Sequence, residues 1–304
     1  MTPGNDQIIN VKSLYKHFNQ VKAVNGISFS VDKGDIYGFL GPNGSGKSTT
    51  IRMLLSLIGP DSGTIEIFGK ELSGHKHKIL SRVGALIEKP DFYEYLSAER
   101  NLWLLARYGG FDIPATRISE ILEMVGLSER ANSKVKTYSK GMKQRLGIAQ
   151  AILHDPELII LDEPGSGLDP SGIKDIRELI FHLNRDLGKT IFLSSHLLYE
   201  VELIANKMII INRGEVVVEG DVKNLLDAFD VKTYFGVKDP RSAIKLIKDS
   251  GIEIEEAIVE NGKLAVRARR DLIPELNKYL ALKGMEVESI NQIQSLEDYF
   301  MNLT

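Results

Sequence analysis

Gly41-Pro42-Asn43-Gly44-Ser45-Gly46-Lys47-Ser48-Thr49 is the stretch on which the fold turns. It spells Gly, four residues, Gly-Lys-Ser, a complete phosphate-binding P-loop. The apolar run Ile36-Tyr37-Gly38-Phe39-Leu40 before it suits a buried parallel strand. After it, Ile51, Leu54, Leu55 and Ile58 recur at helical spacing, which predicts a helix over 48–57. The motif therefore stands between a strand and a helix start, the context its chemistry requires. Its glycines let successive N–H groups turn toward phosphates, and the helix N-terminus adds partial positive charge. Lys47 suits the β- and γ-phosphates, and the Ser48 hydroxyl suits the shell of a Mg²⁺ ion.

The composition is that of an ordinary soluble chain: 304 residues, 43% hydrophobic and 26% charged, long enough for one large domain and a small one. A net charge of −3 gives no electrostatic case for nucleic acid, and no nucleic-acid partner is expected. There is no cysteine, hence no disulfide framework and no thiolate metal site. No apolar run comes near the ~18 residues of a membrane span. The N-terminal residues show no apolar core of a secretory signal, so none is expected. Any role at a membrane would pass through a partner.

Along the chain, residues 8–40 are β-rich, with Ile27, Phe29 and Val31 alternating with polar positions. The turn Pro60-Asp61-Ser62-Gly63 precedes a strand over 64–68, and 83–87 is another short strand. Residues 97–153 turn helical, with apolar faces over 98–108 and 117–125. Buried-type strands follow at 158–161, 190–193 and 208–211, the first two separated by an amphipathic helix carrying Ile173, Ile176, Ile180 and Leu183. Strands alternating with helices imply βαβ units and a parallel sheet. From about 231 the pattern restarts as strand 231–237, helix 242–248, strand 252–259, a strand through Leu264, Val266 and Ala268, helix 273–282 and strand 286–290. A helix over 295–303 with a Ser295…Asp298 capping box closes it. The order β-α-β-β-α-β is that of a small ferredoxin-like unit. The expected organisation is an α/β nucleotide-binding domain over 1–228, with an antiparallel β subdomain and a helical insert at about 97–153, and an α+β domain over 229–304.

Three further clusters carry chemistry. Leu158-Ile159-Ile160-Leu161-Asp162-Glu163 is a buried strand that ends in two carboxylates, where α/β sheets bind ligands. Asp162 suits the magnesium shell of a P-loop site, and Glu163 could accept a proton from water. Tyr138-Ser139-Lys140-Gly141-Met142-Lys143-Gln144-Arg145 precedes an apolar-periodic helix, with Ser139 as its N-cap; such a helix start can bind an anion. Read alone, it is better taken as a capped helix and nothing more. Ser194-Ser195-His196 follows a strand, so His196 could sense a phosphate oxygen, although a lone histidine is more often a structural hydrogen-bonder. His75 and His77 fall in a Gly-containing loop, 73–78, on a solvated surface, with no acid or cysteine to complete a metal site.

In order and spacing these clusters resemble the ATP-binding subunit of ABC transporters, over residues 8–228. Gly41–Thr49 corresponds to Walker A, Leu158–Glu163 to Walker B, Ser139–Arg145 to the signature motif, Gly167-Leu168-Asp169 to the D-loop and His196 to the switch histidine. Val83–Pro90 and Ser295–Thr304 further resemble the antibiotic-resistance and efflux ATPases related to bacitracin and daunorubicin exporters. The resemblance implies that ATP and Mg²⁺ are bound. It implies that Phe18 stacks on adenine, that Gly41, Pro42, Asn43, Gly44, Ser45, Gly46, Lys47, Ser48 and Thr49 hold the phosphates, and that Glu163 is the catalytic base. It further implies that Ser48, Asp162 and Glu88 surround the metal. Glu88 departs from the family, whose loop here carries glutamine; an ionised carboxylate can ligate metal but cannot donate a hydrogen bond. Lys140 replaces a glycine and Met142 a glutamine of the signature, while Ser139 and Gly141 are kept.

The resemblance implies a head-to-tail dimer, compatible with a homodimer, in which Ser139 and Gly141 of one subunit complete the other's nucleotide site, with Lys47 and His196 on the γ-phosphate. The subunits would sit peripherally on the cytoplasmic face of the membrane, bound to membrane-spanning permease subunits. Asp91-Phe92-Tyr93-Glu94-Tyr95-Leu96 is either a loop packed on the helical insert or the groove that receives the permease. Export is the leading function. The alternatives are an importer ATPase whose C-terminal domain senses ligand, and a soluble ABC-type ATPase acting on DNA or ribosomes; the single cassette, the missing coiled-coil insert and the net charge speak against the latter.

Overall fold

The computed structural model describes residues 7–88, 90–228 and 230–293. The expected closing helix at 295–303, with its Ser295…Asp298 cap, and Lys89 lie outside the described residues. The chain forms two compact units, Met1–Glu219 and Gly220–Thr304.

The first unit opens with two long strands, β1 (Gln7–Phe18) and β2 (Val21–Asp32), paired antiparallel. β3 (Ile36–Leu40) is buried along its whole length and runs into the P-loop and α1 (Lys47–Leu54). The expected helix over 48–57 stops early because Ser56 takes a positive φ of 55° and the chain tightens there. β4 (Ser62–Ile67) and β5 (Lys70–Glu71) complete a four-stranded antiparallel sheet in the order β2-β1-β4-β5. α2 (Leu72–Leu80) follows, then β6 (Val83–Leu86). The loop expected at 73–78 is therefore helix. Buried Leu72 and Ile79 anchor its two ends, and a kink at His75 (φ −134°) absorbs the poor helix formers between them. His75 and His77 are exposed on it.

The helical insert comprises α3 (Ala98–Tyr108), α4 (Ala115–Met124) and α5 (Lys140–Ile152). Ser97 caps α3, accepting from Arg100 N at 3.2 Å. α5 packs closely on β6, because a Cβ at Gly84 would lie 2.0 Å from the Ala151 carbonyl oxygen. The chain then returns to the sheet as β7 (Leu158–Asp162), α6 (Pro170–Phe181), β8 (Thr190–Ser195), α7 (Leu198–Glu202), β9 (Lys207–Asn212) and β10 (Glu215–Asp221). α7 and β10 carry no pattern that the sequence reading singles out. The six-stranded sheet runs β10-β9-β3-β8-β7-β6. β3 is parallel to both β8 and β9, and β7 is parallel to both β8 and β6. Phe192 of β8 lies 5.9, 5.8 and 5.3 Å from the rings of Phe29, Tyr37 and Phe39, joining the antiparallel sheet to the parallel one. Tyr37 is buried, and its hydroxyl donates to Glu219 Oε1 at 2.8 Å; burial raises its pKa far above the ordinary phenol value, so it stays a neutral donor.

The second unit contains α8 (Val222–Ala228), β11 (Asp230–Val237), α9 (Pro240–Lys248), β12 (Glu256–Glu260), β13 (Lys263–Arg269), α10 (Ile273–Leu282) and β14 (Val287–Ile293). The sequence puts the junction after residue 228, but α8 packs on the 3-10 turn Arg270–Leu272 and so goes with the second unit. The sheet order β12-β13-β11-β14, antiparallel throughout, is the ferredoxin-like arrangement. Phe235, Leu264, Val266, Ile247, Leu276 and Leu280 form its core. The strand expected from 252 begins only at Glu256, preceded by one bond from Glu255 N to Arg267 O of β13 at 2.9 Å. Ile252 and Ile254 are apolar because they pack on that core.

Phe192→Ala should lower the stability of the first unit by about 3–5 kcal/mol, the usual cost of emptying a buried aromatic site. The denaturant midpoint of that unit's transition, followed by tryptophan fluorescence of Trp103, checks it.

Candidate active site

The P-loop leaves β3 at the centre of the parallel sheet. Its turn depends on Gly46, which caps α1 at φ 108° and whose Cβ would meet the Ala23 carbonyl oxygen at 2.3 Å. The strand β2 thus lies against the loop, and Phe18 stands across the hairpin from it at the end of β1. Its ring is 47% exposed, with the Lys16 ammonium 5.6 Å from the ring centroid. Within the loop, Ser45 N donates to Pro42 O at 3.1 Å, and Asn43 and Gly44 are exposed at its tip. Lys47 is buried; its Nζ donates to Gly41 O at 2.7 Å and Pro42 O at 3.2 Å and lies 3.4 Å from Glu163 Oε1. Ser48 and Thr49 are half-buried at the helix start.

β7 ends beside β8 with Asp162 opposite Ser194. Both are buried, and the Ser194 hydroxyl donates to Asp162 Oδ1. The same hydroxyl accepts from Glu163 N at 3.0 Å. Glu163 takes a positive φ of 48°, which turns its side chain out of the strand direction. Its Oε2 lies 3.0 Å from His196 Nδ1. A carboxylate only accepts, so Nδ1 carries the proton and Nε2 points away from this bond. Glu163 thereby bridges Lys47 of the P-loop and His196 beyond β8.

A cavity of about 440 Å³ is lined by Ser48, Glu88, Lys140, Gln144, Asp162, Glu163 and Ser166. Glu88 follows β6 at a positive φ of 57° and pairs with Arg52 of α1. Ser139 and Gly141 are not in this cavity. Ser139 caps α5, its Oγ accepting from Met142 N at 3.2 Å. With Gly141 it lines a separate space of about 360 Å³ that also includes Gly167, Leu168 and Asp169. The structure therefore brings Lys47, Ser48, Glu88, Asp162, Glu163 and His196 together, with Lys140 and Gln144 of α5 on the same cavity, and leaves Ser139 and Gly141 outside it.

Residues 24–166 match the family model described as ABC transporter. The bacitracin transport ATP-binding protein BcrA of Bacillus licheniformis is 42% identical over 97% of this chain and 97% of its own length. The BcrA of Enterococcus faecalis is 38% identical over 98% and 96%. This chain belongs to the ATP-binding subunits of ABC transporters. A solved structure described as the ATP binding subunit of an ABC transporter superposes with a TM-score of 0.64 at 32% identity, covering 72% of this chain and 91% of that one. Subunits of this family bind ATP and hydrolyse it, and this chain is an ATPase.

The residues present fit a magnesium nucleotide. Ser45 Oγ is buried in the phosphate loop without a hydrogen-bond partner, an orphan that a phosphate oxygen would satisfy. Ser48, Asp162 and Glu88 line one cavity and carry the hard oxygen donors that suit Mg²⁺.

The sequence reading passes over Ser194 and Arg52. Ser194 lies in a quoted stretch, but its link to Asp162 and Glu163 depends on the β7–β8 register, which no local signal reveals. Ser194→Ala should lower ATP hydrolysis about 10- to 100-fold, the usual cost of removing a group that orients metal-site ligands. Phosphate release checks it, alongside an unchanged circular-dichroism spectrum.

Proposed function

We propose that this subunit hydrolyses magnesium ATP at a site shared between two copies of the chain and so powers export through separate permease subunits. The observation that carries the reading is the Glu163 carboxylate set between Lys47 and His196, at a carboxylate-lined cavity beside the P-loop. In this reading the P-loop amides and Lys47 neutralise the β- and γ-phosphates. Ser48 and Asp162 hold the metal, with Glu88 at the same cavity and Phe18 against the adenine. Magnesium, when bound, neutralises phosphate charge and aligns the triphosphate. Glu163 accepts the proton of the attacking water. His196 keeps Glu163 in place through its Nδ1–H, and its Nε2 bonds the γ-phosphate as a donor, in the imidazolium form.

Ser139 and Gly141 line a space that contains no residue of their own chain's P-loop, which supports a second subunit as the one whose nucleotide they complete. The first-turn amides of α5 and the helix N-terminal charge would then close over the partner's γ-phosphate. ATP binding draws the two copies together and hydrolysis releases them. Among the described residues no helix is long and apolar enough to cross a membrane. The place for the subunit in this reading is the cytoplasmic face, docked on its permease. The relatives are named for bacitracin transport, which favours a drug, peptide antibiotic or lipid as cargo.

The docking groove runs along residues 91–96. Tyr95 is 66% exposed and packs edge-on against Tyr93 at 6.0 Å. Asn101 of α3 pins this loop, its amide accepting from Tyr93 N at 2.9 Å and donating to Tyr93 O at 3.1 Å. Glu94 pairs with Lys143 of α5 at 2.6 Å. Movement of a docked permease helix would thus be felt by the helix that starts at Ser139.

Glu163→Gln should bind ATP without hydrolysing it and elute as an ATP-dependent dimer in gel filtration; a variant that stays monomeric with ATP overturns the shared site. The chain has no cysteine, so Tyr95→Cys introduces a single one. With a thiol crosslinker it should attach to the co-purified membrane protein, and failure to do so while the complex stays intact moves the groove elsewhere.

A further inference from the structure

Three carboxylates line the 440 Å³ cavity: Glu88, Asp162 and Glu163. Two of them are engaged by groups beside the phosphate loop. Asp162 accepts from Ser194, and Glu163 lies between Lys47 and His196. Glu88 is held from elsewhere, by the guanidinium of Arg52 on α1. Arg52 belongs to the same helix that begins with Lys47 and Ser48, so the pair ties the end of β6 to the helix behind the phosphate loop.

The pair is exposed, at 42% for Arg52 and 60% for Glu88. An exposed ion pair is weak and readily exchanged. The left-handed backbone at Glu88 leaves its side chain at the cavity rim, within the lining that also contains Ser48 and Asp162. A carboxylate so placed has two competing partners: Arg52 outside the cavity and a divalent cation within it. A carboxylate already ligating a cation cannot keep full contact with the guanidinium, so the two equilibria are linked, and each weakens the other by the same factor.

We propose that Arg52 is a positioning residue that holds Glu88 in the resting subunit and competes with magnesium for its carboxylate. The proposal rests on the reading of this cavity as the magnesium-nucleotide site. Arg52 then sets how much magnesium is needed to engage Glu88, and loading of the site is accompanied by release of the Arg52–Glu88 pair. A neutral glutamine at position 88 would form no such ion pair, so the Arg52 effect belongs to the carboxylate that this chain carries.

The test is a magnesium titration of the full-length protein with a saturating fluorescent, non-hydrolysable ATP analogue, read as nucleotide fluorescence. Arg52→Gln should lower the magnesium concentration at half-saturation about two- to fivefold, the range an exposed ion pair supplies. Arg52→Lys, which keeps the charge, should stay near the wild-type value. In a Glu88→Gln background, Arg52→Gln should produce no further shift. An equal shift in that background means a general loss of positive charge and overturns the proposal, as does no shift in the wild-type background. Thermal melts of each variant confirm that it is folded; because Glu88→Gln breaks the pair from the other side, the cycle does not depend on one substitution. If the wild-type protein binds the analogue without any magnesium dependence, the metal-site reading itself fails together with the proposal. Magnesium-dependent binding that ignores Arg52 removes the proposal alone.

Discussion

The parallel register of β3, β8 and β7 is the constraint on which the site depends. Leu40 pairs with Ser195, and Asp162 pairs with Ser194. Three strands therefore end at one edge of the sheet, and the chain at or just past each end carries the candidate site: the P-loop, the Asp162-Glu163 pair and His196. A one-residue slip of any of these strands would turn its end residues to the opposite face. The register is held by the burial of all five residues of β3 and of β7, and by the packed rings of Phe29, Tyr37, Phe39 and Phe192.

Given that edge, local conformations do the fine placement. Gly46 permits the loop to pass under Ala23 and start α1 in a left-handed turn. Glu163 and Glu88 adopt the same backbone region without being glycine, and both line the one cavity. Strained backbone at non-glycine residues is tolerated where the surroundings over-determine it. For Glu163 those surroundings are Ser194, His196 and Lys47. Glu88 has the Arg52 pair. The first carboxylate is locked from several sides and the second is held from one, which suits a fixed proton acceptor and an exchangeable carboxylate.

Much of this was legible along the chain. The P-loop, the apolar strands and the amphipathic helices are local patterns, and local patterns survive translation into structure. α3 and α10 begin and end where their apolar faces do, and the β-α-β-β-α-β order after residue 230 folds in the expected topology. The departures share a cause. Residues 73–78 look like loop because serine, glycine and histidine favour no helix, but Leu72 and Ile79 are anchored in the core on either side. Ile252 and Ile254 look like strand because they are apolar, yet their partners are core side chains and not a ladder. In each case packing against distant residues overrides local preference.

By itself, the sequence determined the class of ligand, the order of the elements and the residues with suitable chemistry, because motif spacing and periodicity act over a few residues. Only the tertiary structure decided which of those residues meet. Ser194 reaches both Asp162 and Glu163, Arg52 reaches Glu88, and Ser139 with Gly141 lies apart from the P-loop of its own chain. These relations join positions tens of residues apart. They follow from strand register and helix packing, which depend on the core of the whole unit and not on any single stretch of it.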